Sequence, residues 1–253
     1  MNLSMFSLEG KSAIVTGANT GLGQGIAVAL AEAGAHLALV GRSAPDETVE
    51  LVRKAGGKAH VIMADLSSIE PVDEIVDDTL RTLGSVDILV NNAGIIKRND
   101  AIDFTVEEWD SVMNVNLRSL FFLSQKSARA MIDAGRGGKI INIASMLSYQ
   151  GGVRVPSYTA SKSGVLGLTR ILANEWASRG INVNGIAPGY FATNNTDALR
   201  ADDKRNAEIL ARIPAGRWGE PSDLAGAAVF LSSRASDYVH GTIFAVDGGW
   251  LAR

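Results

Sequence analysis

Short runs of apolar, often β-branched residues recur along the chain, and most of the segments between them carry apolar residues at helical spacing. The apolar runs are continuous rather than alternating, which is typical of strands covered by helices on both faces. A strand followed by a helix, repeated about seven times, predicts a parallel sheet with right-handed crossovers. The predicted strands are Ser12–Thr16, His36–Val40, Ala59–Met63, Val86–Val90, Lys139–Ala144, Ile181–Ile186 and Thr242–Val246.

The segments between these strands predict six helices and a single domain. No linker or compositional shift interrupts the series, so we expect one doubly wound, Rossmann-type α/β domain over residues 1–253, with a seven-stranded parallel sheet. Residues 188–214 depart from the pattern, and a stretch of that length is typical of a binding loop or lid. The predicted helices are Gly25–Ala33, Asp46–Lys54, Ile69–Leu83, Val106–Ile132, Ser161–Ala177 and Ser222–Leu231.

Composition narrows the class of function. The chain has no cysteine, which excludes disulfides, thiolate metal sites and thiol nucleophiles. Its formal net charge of −3 and the lack of a long basic run argue against nucleic acid or an anionic membrane as a partner. No apolar stretch approaches the roughly 20 residues needed to cross a bilayer, and the first ten residues lack a secretory pattern. We therefore expect a cytoplasmic protein that acts on a small molecule.

A glycine-rich turn follows the first predicted strand. It reads Thr16-Gly17-Ala18-Asn19-Thr20-Gly21-Leu22-Gly23 and leads into a helix. Glycines let the backbone approach a pyrophosphate closely, and the N-terminus of the helix stabilises its negative charge. Such a turn is weak evidence alone, but the first strand-to-helix junction of a βαβ series is the context that the dinucleotide-binding motif requires.

The end of the second strand leaves the choice of dinucleotide open. No carboxylate stands where the usual fingerprint places one for the adenosine ribose. Arg42, assisted by Ser43, suits a 2′-phosphate and hence NADP(H), but Arg42 could equally stack on adenine or be a solvated loop residue. Asp65 and Leu66 follow the third strand, where the adenine of a ligand would lie; Asp65 could also cap a helix.

A tyrosine and a lysine provide candidate acid–base chemistry. Tyr158 and Lys162 are four residues apart, which places them on one face of a helix. A neighbouring ammonium favours the phenolate, so we expect a lowered pKa for Tyr158 and a role as general acid and base; an exposed contact on a helix surface is the alternative. Ser145 ends the fifth predicted strand, where its hydroxyl can bind a substrate carbonyl. The histidines lack the spacing of a nucleophilic triad or a metal site.

Six short motifs occur along the chain in order, and together they resemble the classical short-chain dehydrogenase/reductase family. The resemblance covers essentially the whole chain and implies a catalytic tetrad of Asn116, Ser145, Tyr158 and Lys162. The motifs are Thr16-Gly17-x-x-x-Gly21-x-Gly23, Asn91-Asn92-Ala93-Gly94, Asn114-Val115-Asn116-Leu117, Ser145, Tyr158-x-x-x-Lys162 and Pro188-Gly189.

The resemblance also implies a cofactor, a mechanism and an assembly. NAD(H) is favoured, with NADP(H) possible; hydride passes between nicotinamide and a carbonyl carbon while Tyr158 moves the proton. Lys162 would hold the nicotinamide ribose, and Asn116 would position a water leading to Lys162. A homotetramer is implied, with contacts from the helices at 106–132 and 161–177 and from the region of Gly249-Trp250. The predicted cofactor-binding residues are Gly17, Asn19, Thr20, Gly21, Leu22, Gly23, Arg42, Ser43, Asp65, Leu66, Asn92, Ala93, Gly94, Val115, Tyr158, Lys162, Pro188, Gly189, Phe191 and Thr193.

Within the family, the sequence from about residue 140 onward most resembles enzymes that act on deoxy sugar acids in uronate, pectin or alginate breakdown. Such a substrate carries a carboxylate, which arginine binds well. Ser145, Gln150, Arg154 and Arg98 are the candidate substrate residues, although a solvated loop arginine fits each arginine equally. The alternatives are a 3-oxoacyl-carrier-protein reductase or another polyol or steroid dehydrogenase and, in a different class, a non-catalytic dinucleotide-sensing protein.

Overall fold

The computed structural model describes residues 3–253 and contains a seven-stranded, all-parallel sheet in the order β3-β2-β1-β4-β5-β6-β7. The predicted fold class is therefore confirmed. Met1 and Asn2, which belong to the predicted domain, lie outside the described residues. Each predicted strand is present, with ends that move by no more than two residues. The strands are β1 Ser12–Thr16, β2 His36–Gly41, β3 Ala59–Met63, β4 Ile88–Asn91, β5 Gly138–Ile143, β6 Ile181–Pro188 and β7 Ile243–Val246.

The helices differ most from the predicted ones at two places, and elsewhere the ends of the predicted helices move by up to five residues. The predicted helix Val106–Ile132 is two α-helices joined by a π-helical segment, Asn114–Ser119, and the predicted lid at 188–214 contains two helices. Among the described residues, none of the helices is both long and apolar enough to cross a membrane. The α-helices are α1 Gly21–Glu32, α2 Asp46–Lys54, α3 Val72–Leu83, α4 Val106–Met113, α5 Leu120–Asp133, α6 Pro156–Trp176, α7 Asp197–Ala201, α8 Asp203–Arg212 and α9 Ala225–Ser232.

The sheet carries an apolar core on each face. Val15 of β1 packs in a cluster with Ile26 of α1 and Leu231 of α9, whereas its neighbour Ile14 packs in the opposite cluster with Leu123 of α5. Successive residues of a strand point to opposite faces, so both faces of β1 are buried. This two-sided burial is the physical reason for the continuous apolar runs in the sequence.

The chain order of the strands creates a crevice in the middle of the sheet. From β1 the chain builds outward through β2 and β3, and it then returns to β4 on the other side of β1. The loops after β1 and β4 therefore diverge at the carboxyl ends of the strands, which is where open α/β sheets bind ligands. Beneath this edge, the buried Asn91 side chain donates to the Asn142 side chain at 2.9 Å and fixes β4 against β5.

Candidate active site

The glycine-rich turn has no room for side chains at its centre. Gly17 and Gly21 adopt positive φ angles of 65° and 59°, which favour glycine. A Cβ added to Gly23 would lie 2.1 Å from the Gly17 carbonyl oxygen and 2.5 Å from Nδ2 of Asn92. The N-cap residue of α1, Thr20, makes no side-chain capping bond, so its side chain does not occupy the first free N–H groups of the helix. The turn therefore fits an anionic pyrophosphate.

Hydrogen bonds from the loop after β4 hold this turn in place. The backbone N–H groups of Asn92 and Ala93 donate to the Thr16 hydroxyl at 3.0 and 2.9 Å. The Asn92 side chain donates to the carbonyl oxygens of Thr16 and Gly17 at 3.0 and 3.1 Å. Asn92 thus shapes the turn through its side-chain amide.

The loop after β2, where the sequence predicts an adenosine site, is joined to the turn by the side chain of Asn19. Asn19 donates to the Ser43 hydroxyl at 2.8 Å and to the Ser43 carbonyl oxygen. Asp65 accepts from the Ser67 backbone N–H at 2.9 Å, whereas α3 begins only at Val72; Asp65 therefore orders a turn and does not cap α3. Both loops lie at the rim of one cleft.

That cleft has a volume of about 1130 Å³ and runs from the glycine-rich turn across the strand ends to the lid. Every predicted cofactor-binding residue lines it, as do Ser145, Gln150 and Arg98. Two predicted site residues, Asn116 and Arg154, do not line it. The glycine turn and the continuous cleft fit an extended dinucleotide with a substrate at its inner end.

Tyr158 and Ser145 meet at this inner end. Tyr158 lies in the first turn of α6, which begins at Pro156, and Ser145 lies two residues after the end of β5. Burial raises the pKa of Tyr158 above its usual value of 10.0, while a hydrogen bond with Ser145 and the positive charge of Arg98 oppose that rise. The Ser145 hydroxyl also accepts from the Leu147 backbone N–H at 3.1 Å, which fixes its position.

Lys162 does not lower the pKa of Tyr158 in this structure, so that part of the sequence-based expectation is wrong. Its Nζ lies 5.7 Å from the centroid of the Tyr158 ring and donates to the Ile143 carbonyl oxygen at 2.6 Å. Burial lowers the pKa of Lys162 itself from 10.5 to about 8. Burial is therefore the largest cause of the pKa shift of each group, upward for the phenol and downward for the ammonium.

Asn116 lies beneath the cleft, in the π-helical segment between α4 and α5. Its side-chain oxygen accepts from the Ile95 backbone N–H at 2.8 Å, and its nitrogen donates to the Ile95 carbonyl at 3.0 Å and the Ser161 hydroxyl at 3.2 Å. The side chain is fully buried and joins the β4 loop to α6. A single π-helical turn inside an α-helix is a frequent feature of functional sites.

Comparisons with known proteins agree with this geometry. The family model described as enoyl-(acyl carrier protein) reductase matches residues 17–251. The 2-dehydro-3-deoxy-D-gluconate 5-dehydrogenase of Escherichia coli (strain K12) is 60% identical over 253 residues, which are 100% of both chains. The chain belongs to the short-chain dehydrogenase/reductase family. The predicted family and activity class, an NAD(P)-dependent oxidoreductase, are confirmed.

Two crystal structures of family members show the same fold. A chain from Agrobacterium tumefaciens, provisionally named a 2-deoxy-D-gluconate 3-dehydrogenase and crystallised with bound NADP, is 60% identical with a TM-score of 0.93, covering 98% of this chain and 99% of that one. A gluconate 5-dehydrogenase from Burkholderia cenocepacia J2315, in complex with NADP and tartrate, is 39% identical with a TM-score of 0.93, covering 99% of both chains.

Of the two arginines predicted to bind substrate, the structure brings Arg98 into the cleft and leaves Arg154 outside. Arg154 forms an ion pair with Asp100 at 2.9 Å, and its carbonyl accepts from the Asn99 backbone N–H at 3.1 Å. Arg154 has a φ of 64°, unusual for a residue other than glycine. Through these two contacts Arg154 connects the loops after β4 and before α6, and its assignment to the substrate stays a prediction.

The sequence predicted a binding loop or lid at residues 188–214 but not its helix α8, and it placed Trp250 in an assembly contact and not in the cleft. Arg205, Glu208 and Arg212 of α8 and the buried Trp250 line the cleft. An aspartate, Asp202, precedes α8, and aspartate is a preferred N-cap residue, so this signal was available in the sequence. In the structure the Asp202 side chain accepts from the Arg205 backbone N–H at 3.0 Å. The lid is thus a helical element of this family member and not a bare loop.

Replacing Lys162 by methionine is expected to change how stability depends on pH. The pKa of Lys162 is lowered to about 8 in the folded protein, so between pH 8 and 10.5 the unfolded chain binds the additional proton. Over this range the free energy of unfolding of the wild type should increase with pH relative to that of Lys162→Met, by at most about 1.4 kcal/mol per pH unit. Urea unfolding from pH 6.5 to 10 measures the slope, with Lys58→Met as the surface control. Parallel wild-type and Lys162→Met profiles over the whole range would contradict this account.

Proposed function

We propose that this protein interconverts a keto group and a hydroxyl group at carbon 5 of a deoxy sugar acid, as a 2-dehydro-3-deoxy-D-gluconate 5-dehydrogenase. The observation that carries the proposal is the 60% identity to an enzyme of that name along both full chains. The geometry supports it, since Ser145, Tyr158 and Arg98 line one end of a single cleft. A carbonyl acceptor, a proton donor and a cation together suit the reduction of a charged ketone.

The features of Arg42 support NADP(H) as the cofactor, with NAD(H) as the alternative. Arg42 is exposed at the rim of the cleft, and within residues 3–253 it forms no ion pair with a carboxylate of the chain. A guanidinium with free donors at this position suits a 2′-phosphate. The bound dinucleotide supplies the hydride, and the predicted cofactor-binding residues that line the cleft are proposed to hold it.

The side chains have distinct proposed roles. In the reducing direction the substrate gains one hydride and one proton, and the proton comes from the Tyr158 hydroxyl. Because the pKa of Tyr158 is raised, the phenol is protonated at neutral pH and ready to act as an acid. Ser145 binds the substrate carbonyl oxygen. The fixed ammonium of Lys162 would hold the nicotinamide ribose, and Asn116 positions the β4 loop against α6.

We also propose that residues 1–253 form one domain, since one sheet receives strands from both halves of the described chain. A homotetramer is proposed as well. Phe121 of α5 and Leu172 and Trp176 of α6 line an open groove that a second copy could cover. A cytoplasmic location stays a prediction.

A substrate panel tests the proposed function. We expect kcat/KM for 2,5-diketo-3-deoxygluconate with NADPH to exceed that for an acetoacetyl thioester by at least about 100-fold, because the thioester lacks the carboxylate that the cationic cleft would bind. The same panel with NADH tests the proposed role of Arg42. Preference for the thioester would point to an acyl-carrier-protein reductase. Dinucleotide binding without turnover of any substrate would favour a sensing protein.

A further inference from the structure

Three residues from distant parts of the chain meet at the lid end of the cleft. The Arg212 guanidinium at the end of α8 lies over the Trp250 ring, with 4.0 Å between Cζ and the ring centroid. Arg212 and the indole N–H of Trp250 both donate to Oε1 of Gln150, each at 3.3 Å. Arg212 is thus oriented by an aromatic ring and a neutral amide, two partners that leave its charge uncompensated.

The absence of a carboxylate partner distinguishes Arg212 from its neighbour on the same helix. Arg205 forms an ion pair with Glu208 at 3.0 Å, whereas no ion pair of Arg212 is found within residues 3–253. Both side chains line the cleft. A planar guanidinium with free donors matches the two oxygens of a carboxylate.

Arg212 and Ser145 line the same cleft, which suits a substrate with a ketone at one end and a carboxylate at the other. Ser145 and Gln150 belong to one short segment, in which the Gln150 backbone N–H donates to the Met146 carbonyl at 3.1 Å. Trp250 is buried in a cluster with Met146, so the same segment supports both ends of the site. Arg98, by contrast, lies close enough to influence Tyr158 and belongs to the reacting end.

We propose that Arg212 binds the carboxylate of the substrate, with Gln150 and Trp250 as positioning residues for its guanidinium. This inference rests on the proposed function, since it assigns the acid group of that substrate class. Because Arg212 ends helix α8, the carboxylate also connects the substrate to the lid. A neutral ketone gains nothing from this contact.

The test compares Arg212→Gln with the control Arg53→Gln, which makes the same change at an exposed helical arginine outside the lining of the cleft. Calorimetry with NADPH present measures the binding of D-gluconate, a carboxylate probe that has no ketone to be reduced and therefore binds without turnover. Losing a hydrogen-bonded charge pair should weaken that binding by about 10- to 100-fold in Arg212→Gln, and Arg53→Gln should bind D-gluconate as the wild type does. For 2,5-diketo-3-deoxygluconate, KM should rise by a similar factor with little change in kcat. Kinetics with neutral 2,3-butanedione should stay unchanged.

Two further variants separate positioning from direct binding. Gln150→Ala should raise KM for the keto acid and leave 2,3-butanedione kinetics unchanged, which loss of structure alone would not do. Arg212→Lys should restore part of the D-gluconate affinity, because it keeps the charge but loses the planar fork.

The outcomes distinguish this inference from the proposed function. If Arg212→Gln binds D-gluconate and reduces the keto acid as the wild type does, the inference is overturned and the proposed function stands. If the wild type binds D-gluconate and Arg212→Gln does not, but the wild type fails to reduce the keto acid, the proposed function fails and the carboxylate site stands. If the wild type neither binds D-gluconate nor reduces the keto acid, both are overturned.

Discussion

Replacing Tyr158 by phenylalanine is expected to lower kcat for reduction of the keto sugar acid by about 10³-fold. The substitution removes the proposed proton donor and its hydrogen bond with Ser145 but keeps the ring that Lys162 approaches to 5.7 Å. The Kd of NADPH should therefore stay within about threefold of the wild-type value, which corresponds to a change of less than about 1 kcal/mol in binding free energy. Steady-state kinetics give kcat, and fluorescence titration gives the Kd.

Tyr149→Phe is the matched control for this prediction. Tyr149 is exposed, and its hydroxyl donates to the Ile243 carbonyl at 3.3 Å outside the lining of the cleft. The same chemical change there should leave kcat nearly unchanged. Loss of activity in both variants, or a Tyr158→Phe enzyme as active as the wild type, would count against Tyr158 as the proton donor.

Replacing Gly23 by alanine is expected to abolish tight dinucleotide binding and to destabilise the fold by about 2–4 kcal/mol. Helix propensity alone predicts the opposite, because Gly23 lies in α1 and alanine favours a helix by about 1 kcal/mol. The added Cβ, however, would lie 2.1 Å from the Gly17 carbonyl oxygen, so the turn must move. Urea unfolding and an NADPH titration measure the two effects.

Gly226→Ala provides the comparison. Gly226 lies in α9, and a Cβ added there meets no atom within 4 Å. We expect the propensity effect alone, which is unchanged or slightly increased stability together with normal NADPH binding. A Gly23→Ala protein that unfolds and binds NADPH like Gly226→Ala would mean that the close packing of the turn is not required.

Much of the fold could be predicted because local sequence and global packing agree. The helix Asp46–Lys54 was predicted with both ends correct; it has acidic residues in its first turn and basic residues in its last turn. The π-helical segment at Asn114–Ser119 was missed because apolar spacing continues across it. The lid helices were missed because Asn- and Asp-rich composition favours loops as well as helix caps.

The candidate site could be predicted as a set of residues but not as a set of contacts. Motif spacing identified Tyr158, Ser145 and the glycine turn, since these depend on short stretches of chain. The pairing of Arg154 with Asp100 and of Arg212 with Gln150 joins residues 54 and 62 positions apart, and a single sequence carries no signal for either. Burial, which raises the pKa of Tyr158, likewise depends on the whole fold.

Transfer of a labelled hydride tests the central claim most directly. The enzyme is incubated with 2,5-diketo-3-deoxygluconate and NADPH that carries deuterium at nicotinamide carbon 4, on either face in separate reactions, and the product is examined by NMR and mass spectrometry. We predict that one of the two labelled forms gives a product with a single deuterium bound to carbon 5. A reduced product without deuterium from either form, or with deuterium at another carbon, would contradict the account.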